Sequence, residues 1–259
     1  MGPSPTGLPE APGPGFGVII PMYNEEAGAE NCVREVCAAL SRIQQPCGLL
    51  VVEDGSRDRT LEILEQAALR HPKLKVIRHP GNLGYGRALR TGVEQAAREG
   101  FDYALFMDSD LTNSPYDIAR FCVAMQRGAD VIKASRFIAG GGMEGVPLRR
   151  ALVSRLGNVV ARILFGVGLR DCTNGFRALR VPILERMNLT ENGFAIIVEE
   201  LYQAKFLASS YAEIPVVLTS RAQHLRSTSF GYGPATFLKY LRYAVKGWLG
   251  IRPRLRSEA

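Results

Sequence analysis

The sequence lacks the features that mark secreted, zinc-binding or membrane-spanning proteins. Its five cysteines form no C-x-x-C pair and are odd in number, which argues against a disulfide framework and against a zinc site. No apolar segment is long enough to cross a bilayer, since the longest candidates are interrupted by Arg162 or Lys246. Residues 1–15 are rich in Pro and Gly and contain no apolar run of the kind found in a signal peptide. We therefore expect a cytosolic globular protein with a disordered leader over residues 1–15.

Acidic residues are almost missing from the end of the chain. From Ser220 onward there are eight Lys or Arg residues and one acid, Glu258, so this segment carries +7 (8 − 1), which equals the net charge of the whole chain. Such a basic segment suits an anionic membrane surface, a phosphorylated ligand or nucleic acid. A nucleic-acid-binding module would interleave aromatic and basic residues on strands, whereas here they occur only on a presumed helix. We expect no nucleic-acid partner.

The first half of the chain alternates short apolar runs with helical patterns, without an internal repeat. Nearly continuous apolar runs are typical of strands buried on both faces of a parallel sheet. The predicted strands are FGVIIP (16–21), LLVVED (49–54), LKVIRH (74–79), DYALFMD (102–108) and ADVIKAS (129–135), and the predicted helices span 26–43, 59–69, 85–98 and 115–126. This order predicts an α/β fold with a Rossmann-like, mostly parallel sheet flanked by helices.

Two further helices are predicted in the second half. Residues 151–167 place apolar side chains at helical spacing, which favours a side facing the core. Residues 234–249 repeat the arrangement with Lys and Arg on the opposite side, and they form most of a basic amphipathic segment over 231–259. For this last helix, core packing and contact with a membrane surface both remain open.

Polar side chains cluster where the predicted strands end, which is where open α/β sheets bind ligands. Asp108 and Asp110 are one residue apart, so in an extended segment their like charges would point the same way. A divalent ion such as Mg²⁺ or Mn²⁺, bridging to a phosphate, would turn this repulsion into a binding site. The simpler alternative is a solvated turn in which Asp110 caps the next helix.

Taken in order, seven motifs resemble those of the inverting family-2 glycosyltransferases of GT-A fold, and within them the polyprenyl-phosphate sugar transferases. The motifs are IIPMYNEE, VVEDGSRDRT, GNLGYGRALRTG, FMDSDLTNSP, KASRF, DCTNGFRALR and TSRAQHLRSTSF. The resemblance runs from about Gly17 to Phe230 and implies a single GT-A domain over residues 16–230.

The resemblance also implies roles for individual residues. It places the donor's base and ribose against Pro21, Tyr23, Asn24, Glu25, Glu53 and Asp54, and further donor contacts at Asn82, Gly84 and Ser109. Asp108 and Asp110 would hold the metal ion, Mg²⁺ or Mn²⁺, and with Arg136 they would form the catalytic group. Arg177 and Arg221 would add phosphate contacts, since arginine forks bind phosphate through two hydrogen bonds.

The function that follows is metal-dependent, inverting transfer of a sugar from a nucleotide-sugar donor, of GDP-mannose or UDP-glucose type, to a polyprenyl phosphate. A phosphomonoester is largely a dianion at neutral pH, because its second pKa is near ~6, so this acceptor needs no general base. A lipid-phosphate acceptor implies peripheral contact at the cytoplasmic face of a membrane and leaves room for a separate membrane-anchoring subunit.

Two other enzyme classes are considered beside this one. A glycosyltransferase acting on a hydroxyl acceptor would need a carboxylate base, for which Glu199 or Glu200 could serve. A haloacid-dehalogenase-like phosphohydrolase would use Asp108 as nucleophile, but the downstream G-D-x-x-x-D acidic pair that it needs does not occur after Thr112.

Overall fold

The computed structural model describes residues 13–220 and 234–256. Its main sheet has seven strands in the order β3-β2-β1-β4-β7-β5-β8, and a second sheet pairs β6 with β9. The strands are β1 (Phe16–Met22), β2 (Cys47–Glu53), β3 (Leu74–Arg78), β4 (Tyr103–Phe106), β5 (Val131–Ser135), β6 (Gly142–Met143), β7 (Arg177–Arg180), β8 (Tyr211–Pro215) and β9 (Val217–Leu218).

Helices connect these strands. They are α1 (Ala29–Leu40), α2 (Thr60–Ala68), α3 (Tyr85–Arg98), α4 (Ile118–Gln126), α5 (Leu148–Phe165), α6 (Val181–Arg186), α7 (Ile196–Leu207) and α8 (Pro234–Trp248). A short 3-10 turn, Pro115–Asp117, precedes α4, and the Ser114 hydroxyl accepts a hydrogen bond from the Tyr116 backbone N–H at 3.3 Å. Ser114 therefore caps this turn, and the helix predicted from residue 115 begins as a 3-10 turn.

The main sheet is mostly parallel, as predicted. β1 pairs in parallel with both β2 and β4, β2 with β3, and β5 with β8. β7 is the exception, since it runs antiparallel between β4 and β5. The carboxyl ends of β1, β2 and β4 therefore meet at one edge of the sheet, which places the polar residues that follow them close together.

The sheet is covered by helices on both faces. Val18 and Ile20 pack into a core with α1, α2 and α4, while Ile19 packs into the opposite core with α3, α6 and α7. Consecutive strand residues alternate between faces, so a run that is apolar at every position fills both cores. A third apolar cluster joins α5, α7 and α8 beside the sheet.

The prediction that the apolar side of α5 faces the core is wrong. Leu152 is 58% exposed, Leu156 68% and Ile163 66%, and only the opposite side of the helix, with Ala161 and Phe165, is buried. On α8 the apolar residues lie on two sides of the helix: Tyr243 and Ala244 are buried, whereas Leu238 and Trp248 are exposed. The two helices contact each other, and their exposed apolar residues are together called the helix-pair surface.

Within residues 13–220 and 234–256, no helix is both long enough and apolar enough to cross a membrane.

Candidate active site

A cavity of about 640 Å³ opens at the carboxyl ends of β1, β2 and β4. This volume lies in the range of small-molecule sites. Ten of the residues predicted from the sequence line it: Pro21, Tyr23, Glu25, Asp54, Asn82, Gly84, Asp108, Ser109, Asp110 and Arg136. The sheet edge therefore brings together most of the residues that the strand ends and the family resemblance selected.

Asp54 is held by the loop that enters α3. Its carboxylate accepts hydrogen bonds from the backbone N–H groups of Leu83 and Gly84, both at 2.9 Å, and lies 2.6 Å from Nδ1 of the buried His79. Gly84 has φ +94°, a conformation that favours glycine. Asp54 thus fixes the backbone of the Asn82–Gly84 turn along the cavity wall.

The two aspartates after β4 are each oriented by a hydroxyl. Asp108 Oδ1 accepts a hydrogen bond from the Tyr85 hydroxyl at 3.0 Å, and Asp110 Oδ1 accepts from the Thr112 hydroxyl at 2.9 Å and its backbone N–H at 3.1 Å. Removal from water, and then the charge of Asp108, raise the pKa of Tyr85 well above its ordinary value. The Tyr85 hydroxyl is therefore protonated at neutral pH and acts as the donor.

Arg136 is fixed by Asp171, a fully buried carboxylate. Its Nε donates to Asp171 Oδ2 at 2.7 Å and its Nη2 to Asp171 Oδ1 at 2.9 Å, while Nη2 also reaches the Thr173 hydroxyl at 3.2 Å. This two-point pairing holds the guanidinium in one orientation at the cavity wall. A fixed positive charge therefore faces the same space as Asp108 and Asp110.

Arg177 does not line the cavity, contrary to its predicted role as a phosphate contact. It is 1% exposed, its Nε donates to Glu200 at 2.5 Å, its Nη1 donates to the Gly175 carbonyl at 2.7 Å, and its guanidinium lies over the Phe106 ring. Arg177 is a buried support beneath the site.

Asn24 and Glu53 are also absent from the cavity wall, so their predicted donor contacts are not what the structure shows. Asn24 adopts φ +53° and its side-chain oxygen accepts from the Arg57 N–H at 2.8 Å, while buried Glu53 accepts from the Ser56 N–H at 2.5 Å. Both side chains shape turns behind the wall. Arg221 lies outside the described residues.

The two candidate bases are engaged elsewhere. Both carboxylates are buried: Glu199 accepts from the Thr190 hydroxyl at 2.7 Å and the Glu191 N–H at 2.9 Å, and Glu200 pairs with Arg177. Neither residue lines the cavity. The described structure therefore gives no support to a hydroxyl-acceptor reaction that uses either acid as base.

The donor set fits a divalent ion held jointly with a phosphorylated ligand. Among residues 13–220 and 234–256, no cluster of three or more His, Cys, Asp or Glu is suited to hold a metal by itself. Mg²⁺ is commonly bound by one or two carboxylates, with substrate phosphates and water completing its shell. Asp108 and Asp110, both oriented and both on the cavity wall, match that pattern.

Sequence reasoning missed the apolar end of the cavity. There α5 contributes Val153, Ser154, Gly157, Val160, Ala161 and Phe165, and α8 contributes Tyr240, Leu241 and Ala244. The sequence showed an apolar stripe on α5, but it did not show whether the stripe faces the core, the cavity or the solvent. Tyr85, Asn174 and Phe194 also line the wall and were not selected, although Tyr85 and Asn174 lie within two of the quoted motifs.

Comparison with known proteins identifies the family of this chain. Residues 17–187 match the model of Glycosyl transferase family 2. Over 242 residues, 92% of this chain, the sequence is 31% identical to polyprenol monophosphomannose synthase of Mycolicibacterium smegmatis, covering 88% of that protein. It is 33% identical to dolichol-phosphate mannosyltransferase of Pyrococcus furiosus over 92% of this chain and 65% of that protein. Undecaprenyl-phosphate mannosyltransferase of Micrococcus luteus is 28% identical over 92% of this chain and 97% of its own length.

Among solved structures, glucosyl-3-phosphoglycerate synthase from Mycobacterium tuberculosis, in complex with Mn²⁺, UDP and glucosyl-3-phosphoglycerate, superposes with a TM-score of 0.65 at 19% identity, over 93% of this chain and 81% of that chain. The same enzyme with Mg²⁺ and UDP gives a TM-score of 0.63. These likenesses confirm the predicted GT-A fold. The family match over most of the chain, and relatives at 31% and 33% identity over 92% of it, show that this protein belongs to glycosyl transferase family 2 and is a glycosyltransferase.

Proposed function

We propose that this enzyme transfers a hexose from a nucleotide sugar to a polyprenyl phosphate, with inversion at the anomeric carbon. Mannose is the first candidate for the sugar, because the names of all three relatives quoted above contain it. The observation that carries the proposal is the composition of the cavity. One end has Asp108, Asp110 and Arg136, and the other is lined by apolar residues of α5 and α8.

The polar end suits a nucleoside diphosphate. Tyr23 and Glu25 follow β1, where an aromatic ring can stack on a base and a carboxylate can accept ribose hydroxyls. Asp108 and Asp110 would hold the divalent ion, which when bound supplies positive charge to the departing diphosphate. Because these groups are already oriented by Tyr85 and Thr112, little reorganisation is needed when the donor binds.

The acceptor needs position rather than activation. An acceptor phosphate oxygen forms the new bond to the anomeric carbon while the bond from that carbon to the diphosphate oxygen breaks, and the diphosphate leaves with the electron pair. A phosphomonoester dianion carries no proton that must be removed, which agrees with the engagement of Glu199 and Glu200 outside the cavity. Arg136, held by Asp171, supplies a fixed cation against which a phosphate can be placed.

The helix-pair surface supports contact with a membrane. Its exposed apolar residues on α5 and α8 lie on the two helices that line the apolar end of the cavity, so a lipid chain bound there could continue into a bilayer. Arg155, Arg162 and Arg242 are exposed on the same helices and suit anionic headgroups. We propose surface contact of this helix pair with a membrane; a separate anchoring subunit would add to it.

The test offers the purified protein GDP-mannose and UDP-glucose in turn, with polyprenyl phosphate and Mn²⁺ or Mg²⁺. We expect glycolipid formation from at least one donor, abolished by chelator and lowered about 10²–10³-fold in kcat by Asp110→Asn, which removes one of the two carboxylate charges that would hold the divalent ion.

Asp58 provides a matched control. Its Oδ1 accepts from the Thr60 N–H at 3.0 Å and from the Thr60 hydroxyl, the same local motif as Asp110 with Thr112, but Asp58 does not line the cavity. Asp58→Asn should leave kcat within about threefold of wild type. Transfer that persists with chelator and with Asp110→Asn would contradict a metal-centred reaction, and transfer only to hydroxyl acceptors would refute the proposed acceptor.

A further inference from the structure

Tyr85 holds the first of the two site aspartates from one side. Its hydroxyl donates to Asp108 Oδ1 at 3.0 Å. On the other side of Asp108 lies Gly175. A Cβ atom added there would lie 3.1 Å from Asp108 Oδ2 and 3.7 Å from the Tyr85 hydroxyl. The Asp108 carboxylate therefore lies between the Tyr85 hydroxyl and the backbone of Gly175. A side chain at position 175 would crowd the carboxylate.

Tyr85 is itself held by a segment remote in sequence. Its ring stacks on Phe194 with ring centroids 4.4 Å apart and an interplanar angle of 30°. Phe194 belongs to residues 190–195, which precede α7 and are here called the bridging segment. The segment is fastened to α3, since the Gly86 N–H donates to the Asn192 carbonyl at 2.8 Å and Arg90 donates to the Glu191 carbonyl at 2.7 Å.

Helix α8 fastens the bridging segment from the other side. The Tyr243 hydroxyl donates to Glu191 Oε1 at 3.0 Å, and Lys239 Nζ lies 3.2 Å from Glu191 Oε2. The Tyr240 hydroxyl donates to the Phe194 carbonyl at 3.1 Å. A continuous set of contacts thus runs from α8, through Glu191 and Phe194, to Tyr85 and Asp108.

We infer that Tyr85 is a positioning residue that fixes the Asp108 carboxylate for the divalent ion, and that the bridging segment couples this position to helix α8. The inference rests on the metal site of the proposed function. Groups that hydrogen-bond a metal-ligating carboxylate orient it, and their loss commonly weakens metal binding 10–100-fold. The stack on Phe194 keeps the phenol from turning away, so the donor is in place before any ligand binds.

The experiment measures Mn²⁺ binding by the protein with UDP or GDP bound, from the loss of the free-ion electron paramagnetic resonance signal beyond the loss that the nucleotide alone causes. Tyr85→Phe keeps the ring and its stack but removes the donor. We expect the Mn²⁺ dissociation constant to rise about 10-fold while the thermal midpoint stays within about 2 °C of wild type. Tyr116→Phe is the control, since Tyr116 also donates to a carboxylate, Glu35 at 3.3 Å, on the exposed surface. Its Mn²⁺ binding should equal that of wild type.

A double-mutant cycle tests the coupling to α8. Tyr243→Phe removes the donor to Glu191 and should raise the Mn²⁺ dissociation constant about 3-fold in the wild-type background. In the Tyr85→Phe background the same change should have no further effect, because the last link to Asp108 is already gone. Additive effects in the cycle would refute the coupling.

The outcomes separate this inference from the proposed function. Equal Mn²⁺ dissociation constants for wild type and Tyr85→Phe, or no Mn²⁺ uptake by wild type, would overturn the positioning role. Weaker Mn²⁺ binding by Tyr85→Phe supports it even if no glycolipid forms, since the measurement contains neither the sugar donor nor the acceptor; in that case only the proposed transfer reaction fails.

Discussion

The two ends of the cavity differ in how firmly their side chains are held. At the polar end each charged group has a fixed partner: Asp54 has the turn before α3, Asp108 has Tyr85, and Arg136 has Asp171. The apolar end is lined by side chains such as Val153 and Val160, and beside it the helix-pair surface is open, with Leu156 68% and Ile163 66% exposed. An end that must orient a defined, charged donor is preorganised, whereas an end that receives a flexible hydrocarbon needs only apolar area in the right place.

The largest expected effect lies beneath the polar end. Arg177→Met keeps a long side chain but leaves the Glu200 carboxylate buried without its ion-pair partner. We expect the free energy of unfolding to fall by about 3–5 kcal/mol, measured by urea denaturation, because an uncompensated buried charge is costly. Adding Glu200→Gln should restore much of that loss.

Arg59→Met is the matched control for this pair. It breaks an ion pair with Glu62 in which both side chains are exposed, so it should cost less than about 1 kcal/mol. If Arg177→Met were as mild as Arg59→Met, the view of a rigid, buried support under the polar end would be wrong.

The next effect concerns the apolar end. Leu152→Glu together with Leu156→Glu places two charges on the helix-pair surface, at positions that do not line the cavity. We expect partitioning onto vesicles of phosphatidylglycerol and phosphatidylcholine, measured by co-sedimentation, to fall about 10²-fold, since each buried leucine contributes about 1.5–3 kcal/mol. Turnover of a short-chain, water-soluble polyprenyl phosphate should stay near that of wild type.

Leu69→Glu controls for the loss of an exposed leucine elsewhere. Leu69 is 82% exposed just after α2, far along the chain from the helix pair, so vesicle binding should not change. Equal vesicle binding by wild type, the Leu152→Glu/Leu156→Glu variant and Leu69→Glu would show that the helix-pair surface does not bind lipid.

The same contrast explains how much could be predicted from the sequence. The five apolar runs predicted five strands correctly, and for β1, β2, β4 and β5 the signal is continuous because nearly every residue is buried. The strand ends and the family resemblance together predicted most of the polar end. β7 was missed because it reads Arg-Ala-Leu-Arg, and a buried arginine paired with Glu200 has no hydrophobic signature. The polar edge strand β8, Tyr-Ala-Glu-Ile-Pro, was missed for a similar reason.

The hydrophobic periodicity of a helix could not predict which neighbours its apolar side contacts. The stripe on α5 has the spacing of a core-facing helix, and its exposure follows only from where α7 and α8 pack. Likewise Glu53 and Asn24 carry the chemistry of ligand contacts, but the turns they occupy use their hydrogen bonds locally. The motif therefore predicted the residue types correctly, but only the backbone conformation determines which group each side chain hydrogen-bonds.

The smallest expected effect is a pH dependence at Lys133, which also supports the polar end. Burial first, and then the charge of Arg177, lower the pKa of Lys133 to about 8 from its usual 10.5, and its Nζ donates to the Asn174 carbonyl at 2.6 Å. Between pH 8 and 10.5 the unfolded chain binds this proton and the folded chain does not, so folding stability contributed by this group rises with pH across that window. Lys133→Met removes the titration, and we expect the difference in unfolding free energy, wild type minus variant, to increase by about 1 kcal/mol per pH unit through the window, measured by urea denaturation. A difference that stays constant with pH would show that Lys133 remains charged in the folded protein, and that the support beneath Asn174 is an ion network rather than a neutral amine.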